Sequence, residues 1–408
     1  MDPLDVIANI EKVIPYFQPV FSADEHKIIG YEVLGRIVQN KGEAESLGSF
    51  FTGTDIPDEF KIEVDERVTR RALDQFLTAD QEVLIFINRD ARLIMVDHGA
   101  SFLELLLEYK EKGIQMNRIV LELSEKTFLG DFEQLVHVLL YYKTYGIKVA
   151  IDNVGSSMGE LDRLSQFSPD ILKVDLSQLR NDAGNKLYKD ILFSLSMLAR
   201  KIGASLLFEN IEINYQLQFA WLNGGRYYQG FYLKHPSPTL LERDILKAKL
   251  KEKCQDYIRY EKKHLEAGYR FADELHKAMT QKISQMKRQS EEDYDFVLNE
   301  LAITFTDKCF RLYICDENGF QVSSNILKVQ GNWEIHQRFK GKNWSWRPYF
   351  LENIIRMRIN KKGLLSDVYS DIDSGEPLRT YSYPFGNGLY LFMDLSYEFL
   401  FEEESLIY

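Results

Sequence analysis

From residue 80 to residue 235 short β-rich runs alternate with stretches of helical spacing, and run after run ends in a polar side chain. The runs are VLIFIN, RIVLEL, IKVAID, DILKVD, ASLLFE and RYYQGFYL, and a pair, IPYFQPVF and KIIGYEVLGRIV, precedes them. FEQLVHVLLYYKTYG shows the intervening pattern: Phe132, Leu135, Val136, Leu139 and Leu140 share one helical face, and Gly146 offers a stop. Repeated βα units of this kind demand a parallel sheet covered by crossover helices. The expectation is an α/β fold, a (β/α)8 TIM-like barrel over residues 1–240.

The strand ends carry the chemistry. Asn88, Glu122, Asp152, Lys173 with Asp175, Glu209 and Gln229 follow one another at gaps of 34, 30, 21, 36 and 20 residues. In a (β/α)8 barrel those ends meet at one mouth, so positions scattered along the chain become one cluster. A single strand-end carboxylate is usually the N-cap of the next helix. Capping gives no reason for carboxylates to recur with carboxamides and a lysine. Grouped carboxylates repel and raise one another's pKa, and a divalent ion offsets that. Oxygen donors suit Mg²⁺, Mn²⁺ or Ca²⁺ better than zinc.

Composition narrows the partners. With 50 Lys and Arg against 62 Asp and Glu, the net charge is −12, which sets an unfavourable field against duplex nucleic acid. Cys254, Cys309 and Cys315 have no zinc-type or disulfide spacing and read as structural thiols of a reducing compartment. MDPLDVIANIEKVIPYF lacks the basic start and apolar core of an export signal. No run reaches the ~20 apolar residues of a spanning helix. The sequence is read as cytosolic and soluble.

FQPV at 17–20, EVLGR at 32–36, IN at 87–88, LELSE at 121–125, DN at 152–153, LKVD at 172–175, FENIE at 208–212 and QGF at 229–231 together resemble the ordered motifs of EAL domains. These are metal-dependent phosphodiesterases that open cyclic di-GMP to linear pGpG. The resemblance implies roles. Glu32, Asn88, Glu122 and Asp152 would hold a first metal, Mg²⁺ or Mn²⁺ with Ca²⁺ as a non-productive ion. Asp152, beside Asn153, would bridge to a second. Lys173 would orient or deprotonate the attacking water, and Glu209 would assist at the metal. Gln18, Leu34, Arg36, Asp175 and Gln229 would contact the ligand, and Glu125 would anchor the loop after Asp152. A homodimer is also implied.

The departures from the family pattern are local. Active members read DDFGTG where this chain reads DNVGSS, so Asn153 brings an oxygen but no charge to the second metal. Met158, Gly159 and Glu160 replace an aromatic residue and two serines. Asn210 stands where the family has glycine, and asparagine tolerates positive φ. The first metal site and groove read as intact and the second metal site as degraded.

Past Pro238 the chain becomes charged and helix-prone. Ile258, Leu265, Ala272, Met279 and Met286 recur every seven residues, with Leu275 and Ile283 alongside, so a linker helix is expected over 241–289. Its seam serves either packing on the neighbouring domains or pairing across a dimer. Gly268 costs about 1 kcal/mol relative to alanine there. Residues 290–408 read as a smaller α+β domain of the PAS or Cache sensor kind: strands around the DENG turn, strands in PLRTYSYPF and GLYLFMDLS, and a helix in YFLENIIRMRI. Trp346, Arg347 and Tyr349 are candidates for a small anionic ligand pocket, or else an aromatic core beside an exposed arginine. An unknown small ligand or protein is the expected partner of this domain.

Three functions fit the sequence: a cyclic di-GMP receptor built on an eroded enzyme site, an active phosphodiesterase regulated by its C-terminal domain, or a scaffold without nucleotide. Gln18 and Arg36 argue against the last, because a groove without ligand has no use for them.

Overall fold

In the computed structural model, residues 3–39, 42–80, 82–124, 130–154, 166–179, 186–286, 293–347, 350–372 and 374–403 are described. The chain divides into two compact units, Met1–Gln255 and Asp256–Tyr408.

The first unit opens with β1, Val13–Ser22, which turns back antiparallel onto β2, Ile28–Val38, in a register that sets Gln18 opposite Glu32. A short β3, Ala44–Ser46, pairs with the end of β2. Then follow β4 Leu84–Asp90, β5 Ile119–Ser124, β6 Lys148–Asp152, β7 Ile171–Asp175, β8 Ser205–Glu209 and β9 Tyr227–Tyr228. Parallel pairing runs from β2 through β4 to β9, and β9 meets β1 antiparallel. Among the described residues this closes an eight-stranded barrel, the fold the alternation predicts, with β1 reversed against its neighbours.

Helices cover the outside. Asp58–Phe76 shows why: Val64, Val68, Ala72, Leu73 and Phe76 form its buried stripe. Inside, Val20, Phe86, Val120, Ala150, Ile171 and Leu207 make an apolar layer. Side chains two apart on a strand share a face. Asn88, Glu122, Asp152, Lys173 and Glu209 therefore stand directly above Phe86, Val120, Ala150, Ile171 and Leu207. Gly30 is required by this packing, since a Cβ there would lie 2.6 Å from Phe86 Cε2.

In the second unit β10 Cys309–Asp316, β11 Asn325–Val329, β12 Asn332–His336, β13 Leu364–Leu365, β14 Tyr369–Ser370, β15 Pro377–Gly386 and β16 Leu389–Leu395 form an antiparallel sheet in the order β12-β11-β10-β16-β15-β13, with β14 on β15. One face of the sheet carries Tyr313, Cys315, Tyr390 and Phe392 against Phe350, Ile354 and Met357 of the helix Phe350–Asn360. The other buries Leu312, Ile314, Leu391 and Met393 with Leu298 and Leu301 of Tyr294–Thr304.

The helix Lys247–Gln285 runs without a break through Gly268. Its seam divides. Leu275 and Met279 lie in the second unit's core, with Ala272, Ile283 and Met286 packed against it, whereas Ile258 and Leu265 are 40% and 59% exposed. All three cysteines are free and buried. Among the described residues no helix is long and apolar enough to cross a membrane.

Candidate functional site

Period-two alternation lifts one polar side chain per strand to the barrel mouth, and there they converge on a lysine. Lys173 Nζ lies 3.0 Å from Glu122 Oε1, 3.2 Å from Glu32 Oε2, 3.2 Å from Glu209 Oε2 and 3.9 Å from Asp152 Oδ1. Lys173 and Glu122 are each 1% exposed. Glu32 is held from three sides, by Asn88 Nδ2 at 2.7 Å, Gln229 Nε2 at 2.6 Å and Lys173. Asp152 accepts from the Asn153 backbone at 2.8 Å and from Asn153 Nδ2 at 2.7 Å. Asn153 adopts φ 57° and Asn210 φ 55°, so both asparagines occupy the left-handed region that their residue type tolerates.

Four acids around one ammonium leave the centre overloaded with negative charge. Burial pushes the Glu209 carboxyl up to about 8, against the pull of Lys173, and Asp152 and Glu32 push it the same way. Glu122 is raised well above the ordinary range by burial and by Glu32. Glu32 is lowered: burial works against it, but Lys173 and the amides of Asn88 and Gln229 prevail. Lys173 is the informative case. Burial works to discharge it, and the surrounding carboxylates overcome that and hold it protonated well above its usual range. Of the two roles expected for Lys173, orienting oxygen atoms is the one an ammonium so placed can perform without first losing its proton.

The donor set suits a hard divalent cation: oxygens of Glu32, Glu122 and Asp152, the Asn88 amide, and one buried oxygen, Gln229 Oε1, with no hydrogen bond among the described residues. Among those residues no three acidic, thiol or imidazole groups are spaced for one ion, and Lys173 occupies the point on which the carboxylates converge.

Beside the centre lies a cavity of about 390 Å³, lined by Leu34, Arg36, Phe51, Asp65, Asn88 and Arg92 among others. Arg36 is steadied by Gly35 O at 2.9 Å and Ser46 Oγ at 3.3 Å. Gln18 is half-buried on β1, opposite Glu32 and on the mouth side of Val20 of the apolar layer. Asp65 and Arg89 belong to this wall and were missed by strand-end reasoning. Asp65 comes from the helix Asp58–Phe76, and no local pattern in FKIEVDERV links it to Arg89. The two form a half-buried ion pair, and the Arg89 guanidinium lies 3.9 Å from the Phe102 ring centroid.

Other predicted residues stand apart. Asp175 accepts from Ser177 N at 2.6 Å and from Asn210 Nδ2 at 3.0 Å, so it braces the strand-end turns. Glu125, Met158, Gly159, Glu160 and Tyr349 lie outside the described residues. In the second unit Trp346 is 63% exposed, and the indole against Arg347 is that of Trp344, 4.4 Å from ring centroid to guanidinium. Trp344, two residues before Trp346, thus supplies the ring against Arg347.

Comparison with known proteins adds the following. The EAL domain profile matches residues 7–236, and a profile described as an EAL-domain associated signalling protein domain matches 240–407. The chain is 52% identical over 407 residues to the uncharacterized EAL-domain containing protein YkuI of Bacillus subtilis, covering all of both chains. It is 26% identical over 237 residues to the probable cyclic di-GMP phosphodiesterase PdeG of Escherichia coli, spanning 56% of this chain and 45% of that one. A crystal structure of Bacillus subtilis YkuI in complex with substrate c-di-GMP and calcium superposes with TM-score 0.95 over all of both chains. The PaMucR phosphodiesterase in its c-di-GMP complex gives 0.52 at 20% identity, over 58% of this chain and 98% of that one, which bears on fold alone.

Proposed function

This chain belongs to the EAL-domain family, and from that premise we propose that its barrel binds cyclic di-GMP together with a divalent cation and hydrolyses it slowly or not at all. The observation that carries the proposal is the Asp152–Asn153 pair. Both oxygens of Asp152 accept from Asn153, so the residue that would bridge two ions is matched by an amide and not by a second carboxylate. The full-length likeness to YkuI, whose crystal structure holds c-di-GMP and calcium, supports the ligand class.

A cation held by Glu32, Asn88, Glu122 and Asp152, with a weaker one beside Asn153, would neutralise charge on the phosphoryl oxygens. Mg²⁺ or Mn²⁺ is the expected ion. The residues supply the rest. Arg36, fixed by Gly35 O and Ser46 Oγ, presents a planar fork to a phosphate oxygen. Gln229 and Asn88 orient Glu32. Lys173 holds oxygen atoms over the centre, and Glu209, protonated below about pH 8, has a proton to give. The 390 Å³ cavity beside Asn88 has room for a base, with Asp65 on its wall.

A second reading, an active phosphodiesterase regulated by the C-terminal domain, is favoured by one observation: Glu32, Glu122, Lys173 and Glu209 remain assembled. The proposal also takes the protein to be a cytosolic homodimer, paired through the exposed half of the seam at Ile258 and Leu265. A monomeric mass at micromolar concentration would count against that.

The deciding experiment incubates the full chain with cyclic di-GMP and Mg²⁺ or Mn²⁺, follows pGpG by chromatography, and repeats it with Asn153→Asp. Binding without product, and a gain of about tenfold or more in the variant, supports the receptor. Turnover that the variant does not improve establishes the phosphodiesterase. No binding in millimolar divalent cation removes both.

A further inference from the structure

The second unit holds two arginines on one face of its sheet, and they are partnered very differently. Arg311 is satisfied: Nε donates to Asp394 Oδ2 at 2.6 Å and Nη2 to Asp371 Oδ1 at 2.8 Å. Arg347 forms no ion pair among the described residues, and its Nε is buried without a hydrogen bond. Among the described residues its guanidinium reaches the Tyr313 hydroxyl at 3.5 Å from Nη1, which is long for an N–H···O bond. A half-buried guanidinium with an unused donor is costly unless something else supplies the acceptor.

The arginine is also held in place before any such acceptor arrives. Its guanidinium lies over the Trp344 ring. Trp344 is in turn fixed at both ends, its backbone N–H on Gly319 O at 2.8 Å and its indole Nε1 on buried Gln321 at 2.9 Å. Gly319 sits at φ 85°, and a Cβ there would come within 2.7 Å of Ser345 N, so the DENG turn and the segment carrying Arg347 fit only as drawn. On the other side Tyr313 is stacked on Phe392, with ring centroids 5.2 Å apart and planes 13° apart.

We propose that Arg347, between Trp344 and Tyr313, is the anchor of a binding site for a small monocarboxylate. The guanidinium fork matches a carboxylate in two parallel hydrogen bonds, and the Tyr313 hydroxyl is a further donor. A single unmatched positive charge suits a monoanion. A dianion such as phosphate would bring a second charge with no cation to meet it, since Arg311 is already committed to Asp371 and Asp394. The aromatic walls suit a ligand with a short apolar body.

The full chain is titrated with acetate, lactate and pyruvate, with inorganic phosphate as the dianionic control, and followed by tryptophan fluorescence and by thermal unfolding. A saturable response to at least one monocarboxylate is expected, weakened about tenfold or more in Arg347→Lys, which keeps the charge but loses the fork, and absent in Arg347→Gln. Arg356→Gln, on the exposed side of the helix Phe350–Asn360, keeps the native response. Far-UV circular dichroism of the variants separates loss of ligand from loss of fold, and Arg347→Lys carries the test if Arg347→Gln unfolds. No saturable response to any of the three acids, an undiminished response in either Arg347 variant, or phosphate binding as tightly as the best acid overturns the site.

Discussion

Each unit buries one cation among acids, Lys173 in the barrel mouth and Arg311 in the antiparallel sheet, and the charge balance differs between them. Around Lys173 stand Glu32, Glu122, Asp152 and Glu209, and two of those carboxylates are driven upward in pKa. Around Arg311 stand Asp371 and Asp394, with Thr380 Oγ1 donating to Asp394 at 2.6 Å. There Asp371 is driven downward, because the hydrogen bond and charge of Arg311 exceed the effect of burial. A cluster within one charge of balance, as around Arg311, holds a fold together. An overloaded one is stable only in part until another positive charge joins it, which is the behaviour of a site.

The sharpest way to break that comparison is to remove each cation. Arg311→Met leaves Asp394, which is fully buried, without its partner and should cost about 3–5 kcal/mol in urea unfolding, with or without divalent ions. Lys173→Met should also destabilise the protein in chelator but recover much of the loss when Mg²⁺ or Mn²⁺ is added. Equal recovery in both variants would erase the distinction. Next in size is the ion itself. A divalent cation at about 100 times its Kd should stabilise the native protein by about 2.7 kcal/mol, and Glu122→Gln should remove that gain without weakening the chelated protein.

The two clusters should also answer pH in opposite directions. Glu209 binds its proton more tightly folded than unfolded, so its contribution is complete below about 4.5 and fades as pH climbs through about 8. Asp371 binds its proton less tightly folded, so its contribution is present above about 3.8 and fades as pH falls through its lowered value. Urea midpoints in chelator should therefore lose an alkaline slope in Glu209→Gln and an acid slope in Asp371→Asn. A Glu209→Gln profile that keeps the native slope would remove Glu209 from the account. The smallest effect concerns the turn after β8. Asn210→Gly relieves positive φ but loses the bond to Asp175, so stability should change by less than about 1 kcal/mol.

Much of the barrel was legible because the period-two pattern and the strand-end positions coincide: the residue that sits two before each polar group is apolar and forms the layer beneath it. Closure was less legible. β9 is two residues long, and its antiparallel pairing with β1 joins positions far apart in sequence. The identity of the mouth residues could be read, but the direction of Lys173's shift could not, because it depends on four acids from four strands meeting within a few ångströms. The Arg311 cluster left no signal at all, its partners lying 60 and 83 residues away. Around Arg347 the residue types offered Trp346 and Tyr349 as companions, and the ring that lies against the guanidinium is that of Trp344. Choosing Trp344 over Trp346 needed the turn in which Asn343 Oδ1 accepts from Ser345 N at 2.9 Å. Asn210 was readable from its type, since a left-handed turn there has few other candidates.

The reversed first strand has a consequence for how the protein is made. β1 finds β2 almost at once, yet its other edge waits for Tyr227 and Tyr228. With synthesis at about 5–20 residues per second, the roughly 200 residues between them take on the order of 10–40 s. Throughout that interval the nascent chain carries an open β1 edge at one side and, later, an open β8 edge at the other, both ready to recruit another strand. The barrel is sealed late in translation, and a ribosome that stalls before Tyr227 releases a sheet with two free edges.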